Sequence, residues 1–527
     1  MLKQHIFHAR KTYFELSTNK LHKGDFYLNF SSDSFEIEFI PKDKSIFSEF
    51  DLDESHCRLV FHLSEVTEIV YSDNPKNIVS LNFKFSQLKS YQSFHFTEFA
   101  HVVVRHFLSF LQYKNVIVQS SNSSNRYTVN KIPKPKIQID SEIDYISPKH
   151  LEFLKAHKEV LKNLHINDLP NDSDPLTLDD CMAFFSDNGI CNHYENLKRE
   201  IFRRGLTAEA RVKIWPLLLG LFSPSRTMAQ NNDFLKKKVE DYKKLRKQWD
   251  SIIDSQTSQI QEITELIRVV DNDVKRTDRA LPQFQSDDHP NLVLLHNVLI
   301  SYALYNKDTG YVQGMGDLVS PFIILYIKDW KDKETAVLYD DTVVDRQTAE
   351  SLMLWLLVGF MNTMQQDRMF TELAPHQQIA MESVHEIVTT VDEPIKNWLC
   401  NNDLKELFFL YRPFLLLFKR EFNFDFVLRL WDAFFSHPKP YIFPRFFLAA
   451  VLMELFPRLM LHTKGGIGDV MSLTDKIISS INGITTLNLA IGLEETFNQK
   501  GKNAEGVLTQ LPDKKQYRGY SSKFLNL

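Results

Sequence analysis

The chain has 527 residues, 43% hydrophobic and 24% charged, with a formal net charge of −5. That length predicts two to four domains of ordinary globular composition, and 41 phenylalanines supply large cores. The mildly acidic balance gives no reason to expect nucleic-acid binding, which usually shows as a basic domain. Four scattered cysteines, Cys57, Cys181, Cys191 and Cys400, fit free thiols in a reducing compartment rather than a disulfide framework.

No apolar signal core follows Met1, and the longest apolar run, 351–363, is too short to span a bilayer. No prenylation cysteine stands near Leu527. The expectation is a cytoplasmic protein whose membrane contact is peripheral.

Residues 1–118 read as β-rich. Phe35, Ile37 and Phe39 alternate with Glu36 and Glu38, and Val79, Leu81, Phe83 and Phe85 do the same. Alternation with period two predicts half-buried strands. The period then changes, and Phe99, Val103, Phe107, Phe110 and Leu111 predict the inner face of one helix. Several strands closed by one amphipathic helix make the layout of a PH-like domain. With no dense basic cluster for phosphoinositide heads, a protein-binding or packing role suits it better than lipid binding.

Residues 119–195 read as a linker with short helices. Lys131, Lys134 and Lys136 alternate with apolar residues and prolines, and a solvated extended segment is the plainer reading of them. Residues 196–465 then carry helical periodicity almost throughout. Thr207, ahead of the first helix of this region, can cap it. The polar stretch 327–349 predicts an inserted loop between helices, and helices are expected again at 350–364, 381–391, 407–418, 424–435 and 443–461. Residues 466–527 read as a helical extension ending in a mobile tail at 513–522.

The segment Gly310-Tyr311-Val312-Gln313-Gly314-Met315-Gly316-Asp317 concentrates three glycines around one amide. Glycine permits close backbone approach, and a glutamine amide both donates and accepts hydrogen bonds. Upstream, Asp273 and Arg276 stand three apart, on one face of a helix. Arginine and glutamine are the residue types that GTP hydrolysis uses to stabilise charge and position water. There is no Gly-x-x-x-x-Gly-Lys-Ser/Thr phosphate loop, so GTP binding by this chain itself is not expected. Gly314-x-Gly316 lacks the third glycine and the βαβ setting of a dinucleotide site. Neither Cys191-Asn192-His193 nor the pair His101 and His106 has a zinc spacing, so no metal site is expected.

Three stretches together resemble the signature motifs of TBC-domain Rab GTPase-activating proteins. They are Arg211-x-x-x-Trp215-Pro216-Leu217-Leu218-Leu219-Gly220, Asp273-Val274-Lys275-Arg276-Thr277-Asp278-Arg279 and Tyr311-x-Gln313-Gly314-Met315, in the family's order and spacing. Phe418-Lys419-Arg420-Glu421-Phe422 and Val427-Leu428-Arg429-Leu430-Trp431-Asp432 resemble the family's later helices. The family commonly has proline where Thr207 stands.

The resemblance covers roughly residues 200–460. It implies an all-α TBC domain after the β-rich PH-like domain, a subgroup whose N-terminal region binds Rab. It implies a GTP-bound Rab partner that carries its own Mg²⁺ and nucleotide, so this chain needs no cofactor, and a role in vesicle trafficking. Arg276 would be the arginine finger and Gln313 the glutamine finger, with Arg279 a neighbour of the same chemistry outside the family's position. Asp273, Arg211, Trp215, Tyr311 and Gly314 would support the site: Trp215 as core, Tyr311 as an anchored ring, Gly314 as room for the backbone, and Arg211 as a partner of Asp273 or another acid. Two rivals from other classes are a silent Rab effector or scaffold with the same fold, and a lipid-binding adaptor acting through residues 1–118.

Overall fold

The computed structural model describes residues 4–16, 20–31, 34–42, 58–74, 78–86, 91–97, 100–121, 123–130, 145–164, 174–256, 261–371, 373–462 and 466–501. The lysines at 131–136, Phe99 and the tail at 513–522 lie outside them. Two compact units emerge. The first holds residues 1–163, 392–402 and 455–473; the second holds 164–391, 403–454 and 474–527. The helical region read from sequence as 196–465 is thus divided between them, and the described residues 174–195 group with the second unit.

The first unit is built on one sheet. Its strands are β1 (Gln4–Leu16), β2 (Lys20–Ser31), β3 (Ser34–Pro41), β4 (Arg58–His62), β5 (Val66–Asn74), β6 (Ile78–Phe85), β7 (Tyr91–Phe96), β8 (Ile117–Gln119), β9 (Arg126–Val129) and β10 (Tyr145–Ile146). They lie in the order β10-β4-β3-β2-β1-β7-β6-β5-β9-β8, antiparallel except for the β10–β4 pair. The period-two reading of β6 holds: Val79, Leu81, Phe83 and Phe85 are buried while Ser80, Asn82 and Lys84 are not.

In β3 the alternation misleads at Glu38, which is 1% exposed. It is neutralised by Arg58 and accepts from Asn29 Nδ2 at 2.8 Å, so the outer face of this strand is covered by polar partners. The core is a phenylalanine cluster. Phe94 packs against Phe14 with ring centroids 5.0 Å apart, Phe61 meets Phe83 at 5.4 Å, and the helix Ala100–Tyr113 adds Phe107 against Phe26 at 5.7 Å. That helix buries Ala100, Val104, Phe107, Leu108 and Leu111, one step round from the predicted face: Val103 and Phe110 are only half-buried. The sheet also passes the expected boundary at 118, because β9 pairs with β5 within the stretch read as linker.

The second unit is helical. Thr207 caps the helix Ala208–Leu218 by accepting from the Ala210 amide, as its side chain allows. The helix Met228–Gln256 reads as charged, yet it turns Tyr242 and Trp249 into the core. The stretch 327–349 is not a loop. It forms a three-stranded sheet, Ile327–Asp332, Thr335–Leu338 and Val343–Asp345. Fully buried Ala336 and an indole hydrogen bond from Trp330 to Asn291 Oδ1 at 2.8 Å tie it to the helices.

The predicted helix 407–418 is broken into a short 3₁₀ turn, Phe408–Leu410, and one turn of α-helix, Tyr411–Leu415. Pro413 and left-handed backbone at Leu407, Leu417 and Phe418 prevent a continuous helix. The extension after 465 is helical at Ile467–Ile477 and Gly483–Gln499. Among the described residues, no helix is long and apolar enough to cross a membrane.

Candidate functional site

The helix Gln261–Val274 ends in the turn that carries the predicted arginine. Thr277 closes that turn by donating its hydroxyl to the Asp273 carbonyl at 2.9 Å. Arg276 points outward, with 61% of its side chain exposed. Its Nε donates back to the Asn272 carbonyl at 3.0 Å, and Nη2 lies 3.7 Å from Asp273 Oδ1. The guanidinium is therefore solvated and only lightly held. A surface contact of this kind is worth at most about 1 kcal/mol, so turning it toward a partner costs little.

Asp273 is the centre of the arrangement. It is 3% exposed, and its Oδ2 accepts from both the Tyr311 hydroxyl and the Gly314 amide, the latter at 2.8 Å. One buried carboxylate on the arginine segment thus fixes the two residues that flank Gln313. Burial, and then the bond to Asp273, push the Tyr311 phenol far above its ordinary range, so it stays a donor. The two segments also touch through Gly316, where a Cβ would meet Thr277 Oγ1 at 2.8 Å. Gln313 is exposed, and its amide has no hydrogen-bond partner among the described residues.

Gly314 has φ +100°, a conformation that side-chain-bearing residues rarely adopt, and a Cβ there would lie 3.2 Å from Leu416 Cδ2. Gly314→Ala is expected to cost about 1–3 kcal/mol through backbone strain and crowding. A urea unfolding series would show it as a lower midpoint with an unchanged slope.

A second carboxylate, unassigned by sequence reasoning, braces the same loop from the other side. Asp317 opens the helix Gly316–Tyr326 and is 3% exposed. It accepts from Arg420 Nε at 3.1 Å and Lys419 Nζ at 3.2 Å, and Lys419 also pairs with Asp278 in the arginine turn. The bond to Asp317 raises the Arg420 pKa above its usual value, so this cation stays charged. Lys419 and Arg420 reach both segments because Leu417 and Phe418 are left-handed, with φ of 46° and 62°. Core packing holds that costly geometry: Phe418 is fully buried 4.7 Å from Phe447, and the Leu417 carbonyl accepts from Trp431 Nε1. The Lys419-Arg420 pair was visible in the sequence, but its target was not.

Arg211 and Trp215 lie behind this face. Arg211 does not pair with Asp273. It forks onto Asp432, with Nε 3.1 and 3.0 Å from its two oxygens and Nη2 2.8 Å from Oδ2. Trp215 is fully buried as expected, and its indole donates to the same carboxylate at 2.8 Å. Among the described residues no group of three His, Cys, Asp or Glu side chains is placed to hold a metal.

A family model for the Rab-GTPase-TBC domain matches residues 208–460. The chain is 30% identical over 259 residues to TBC1 domain family member 17 of Homo sapiens, covering 49% of this chain and 36% of that one. It is 25% identical over 376 residues to the GTPase-activating protein GYP7 of Yarrowia lipolytica, covering 66% and 46%. It spans less than half the length of these two relatives. Among solved structures it matches the Ypt/Rab-GAP domain of Gyp1p at 20% identity and a TM-score of 0.49, over 62% of this chain and 97% of that one. Residues 208–460 of this chain are a Rab-GTPase-TBC domain.

Proposed function

We propose that this chain accelerates GTP hydrolysis on a Rab-family small GTPase, with Arg276 and Gln313 acting in trans. The observation that carries the reading is the Asp273 carboxylate, which binds the loop on both sides of Gln313 while standing three residues before Arg276. An exposed cation and an exposed amide are thereby presented from two segments braced against each other.

The chemistry follows from what a slow GTPase lacks. Negative charge builds on the phosphoryl oxygens, and the attacking water must be oriented. Arg276 supplies a fork that is always charged and matches phosphate geometry. Gln313 can accept from the water and donate to an oxygen at once. Tyr311 and Gly314 hold the loop; Asp317, Lys419 and Arg420 fix it to the arginine turn. Mg²⁺ and GTP belong to the Rab. The relatives' names support the same activity: GYP7 is a GTPase-activating protein. A Rab partner in its GTP form places the action at the cytoplasmic surface of endomembranes and in vesicle trafficking, with peripheral membrane contact. The β-sheet unit, read as PH-like, would then bring further contacts to that partner or its surroundings.

The test is single-turnover GTP hydrolysis across a panel of Rabs. Wild type should accelerate one or a few of them. Gln313→Ala should lose about 10²-fold or more of that acceleration, the scale of losing one preorganised donor, without losing the complex. Binding without acceleration by the wild type would replace this reading with that of a silent Rab-binding scaffold.

A further inference from the structure

The helical unit contains a second cationic site, separate from the arginine and glutamine segments. A cavity of about 30 Å³ is lined by Arg368, His376, Tyr441 and Arg445, together with Gln365 and Gln366. Arg445 is 7% exposed. Its Nη1 donates to Ser383 Oγ at 2.7 Å, while its Nε has no hydrogen-bond partner. Neither Arg445 nor the half-buried Arg368 is paired with a carboxylate among the described residues.

This is an unusual expense for a fold. A charge taken out of water without a partner costs several kcal/mol, and buried charges are normally paired. Arg211 and Lys419, buried at the motifs of this unit, have their acids, Asp432 for the first and Asp278 and Asp317 for the second, while Arg429 donates to the carbonyls of Phe202 and Arg203. Arg445 also stands in the first turn of the helix Phe443–His462, whose N-terminal end adds positive potential to the cavity. The remaining walls are apolar, including Met364 and Phe414, so an anion held here would be poorly screened. The volume takes about two water-sized positions, enough for two oxygens of an anionic head whose remainder stays outside, past Arg368.

We infer that this cavity is a binding site for a phosphoryl-type oxyanion, held by Arg445 at its base and Arg368 at its mouth. Two guanidiniums carry two positive charges, which a doubly charged phosphoryl group neutralises and a carboxylate or chloride does not. The planar forks of both arginines can each take two oxygens.

The experiment is isothermal titration of the full chain with inorganic phosphate, sodium acetate and sodium chloride at matched ionic strength. Phosphate should bind at one site and at least 10-fold more tightly than acetate. Arg445→Met and, separately, Arg368→Gln should each weaken phosphate at least 10-fold. Arg368→Gln changes a half-buried side chain, so it tests the site even if Arg445→Met does not fold. Absence of phosphate binding, binding unchanged in Arg368→Gln, or equal binding of acetate would overturn the inference. Glu372 lies in sequence between Arg368 and His376, outside the described residues. Phosphate binding that emerges only in Glu372→Gln would show that the chain's own carboxylate fills the site, and would overturn it too. None of these readings depends on a Rab partner, so they stand or fall apart from the proposed activity.

Discussion

Arg276→Ala is expected to abolish the acceleration of Rab GTP hydrolysis while leaving the fold untouched. An arginine supplied in trans to a small GTPase raises the rate by about 10³–10⁵, which is roughly 4–7 kcal/mol of barrier. Nothing comparable is lost from the folded state. The side chain is 61% exposed, and its one hydrogen bond goes to a backbone carbonyl on its own helix. Surface changes of that kind stay within about 0.5 kcal/mol. The two effects therefore separate: the urea midpoint should match wild type, and single-turnover hydrolysis should fall to the Rab's intrinsic rate.

Arg276→Lys should recover little, because an ammonium cannot fork onto two oxygens. Arg279→Ala serves as the internal control. Arg279 is already occupied by Asp287, and its loss should change the rate less than severalfold. Equal losses in both variants would mean that general positive charge at this turn, not a finger at Arg276, does the work.

What could be read in the sequence follows from range. Period-two alternation in 78–85 and the capping hydroxyl of Thr207 are local, and the structure has both where the residues put them. The arginine and glutamine segments were legible because each carries its own residue types at fixed spacing. Their connection was not, since it runs through a carboxylate 41 residues from the amide it accepts from. The partner of Arg211 was less visible still, 221 residues away on another helix.

Two misreadings have the same root. The 327–349 stretch looked like a loop because its strands face solvent on most positions, and the burial of Ala336 is a tertiary fact. The break at 407–418 depends on left-handed backbone that composition cannot announce in Leu and Phe. That break is also what delivers Lys419 and Arg420 to Asp278 and Asp317. The element least predictable from local propensity is thus the one that locks the site.

Asp432→Ala is expected to be among the most destabilising single changes in the helical unit. The carboxylate is fully buried. It accepts the Arg211 fork, the Trp215 indole at 2.8 Å and the Leu206 amide at 3.0 Å. Alanine would leave one buried guanidinium and two buried N–H groups without acceptors. Breaking a buried ion pair from one side costs about 3–5 kcal/mol, against a total stability of about 5–15 kcal/mol for a typical domain. The variant should unfold at markedly lower urea or be recovered mainly as insoluble protein.

The source of the cost can be isolated. Replacing both charges, as in Arg211→Met with Asp432→Leu, removes the stranded cation and should recover much of the loss, because an apolar pair of similar volume is often no worse than the ion pair it replaces. If the double variant is no more stable than Asp432→Ala, the carboxylate matters for the indole and the amide rather than for Arg211. Asp317→Ala makes the contrast on the site itself: of its two partners, Arg420 keeps 40% of its side chain in water and buried Lys419 keeps its pairing with Asp278, so no cation is left alone in the interior and the stability loss should be smaller. Its effect should fall instead on hydrolysis, through a glutamine loop no longer fastened to the arginine turn.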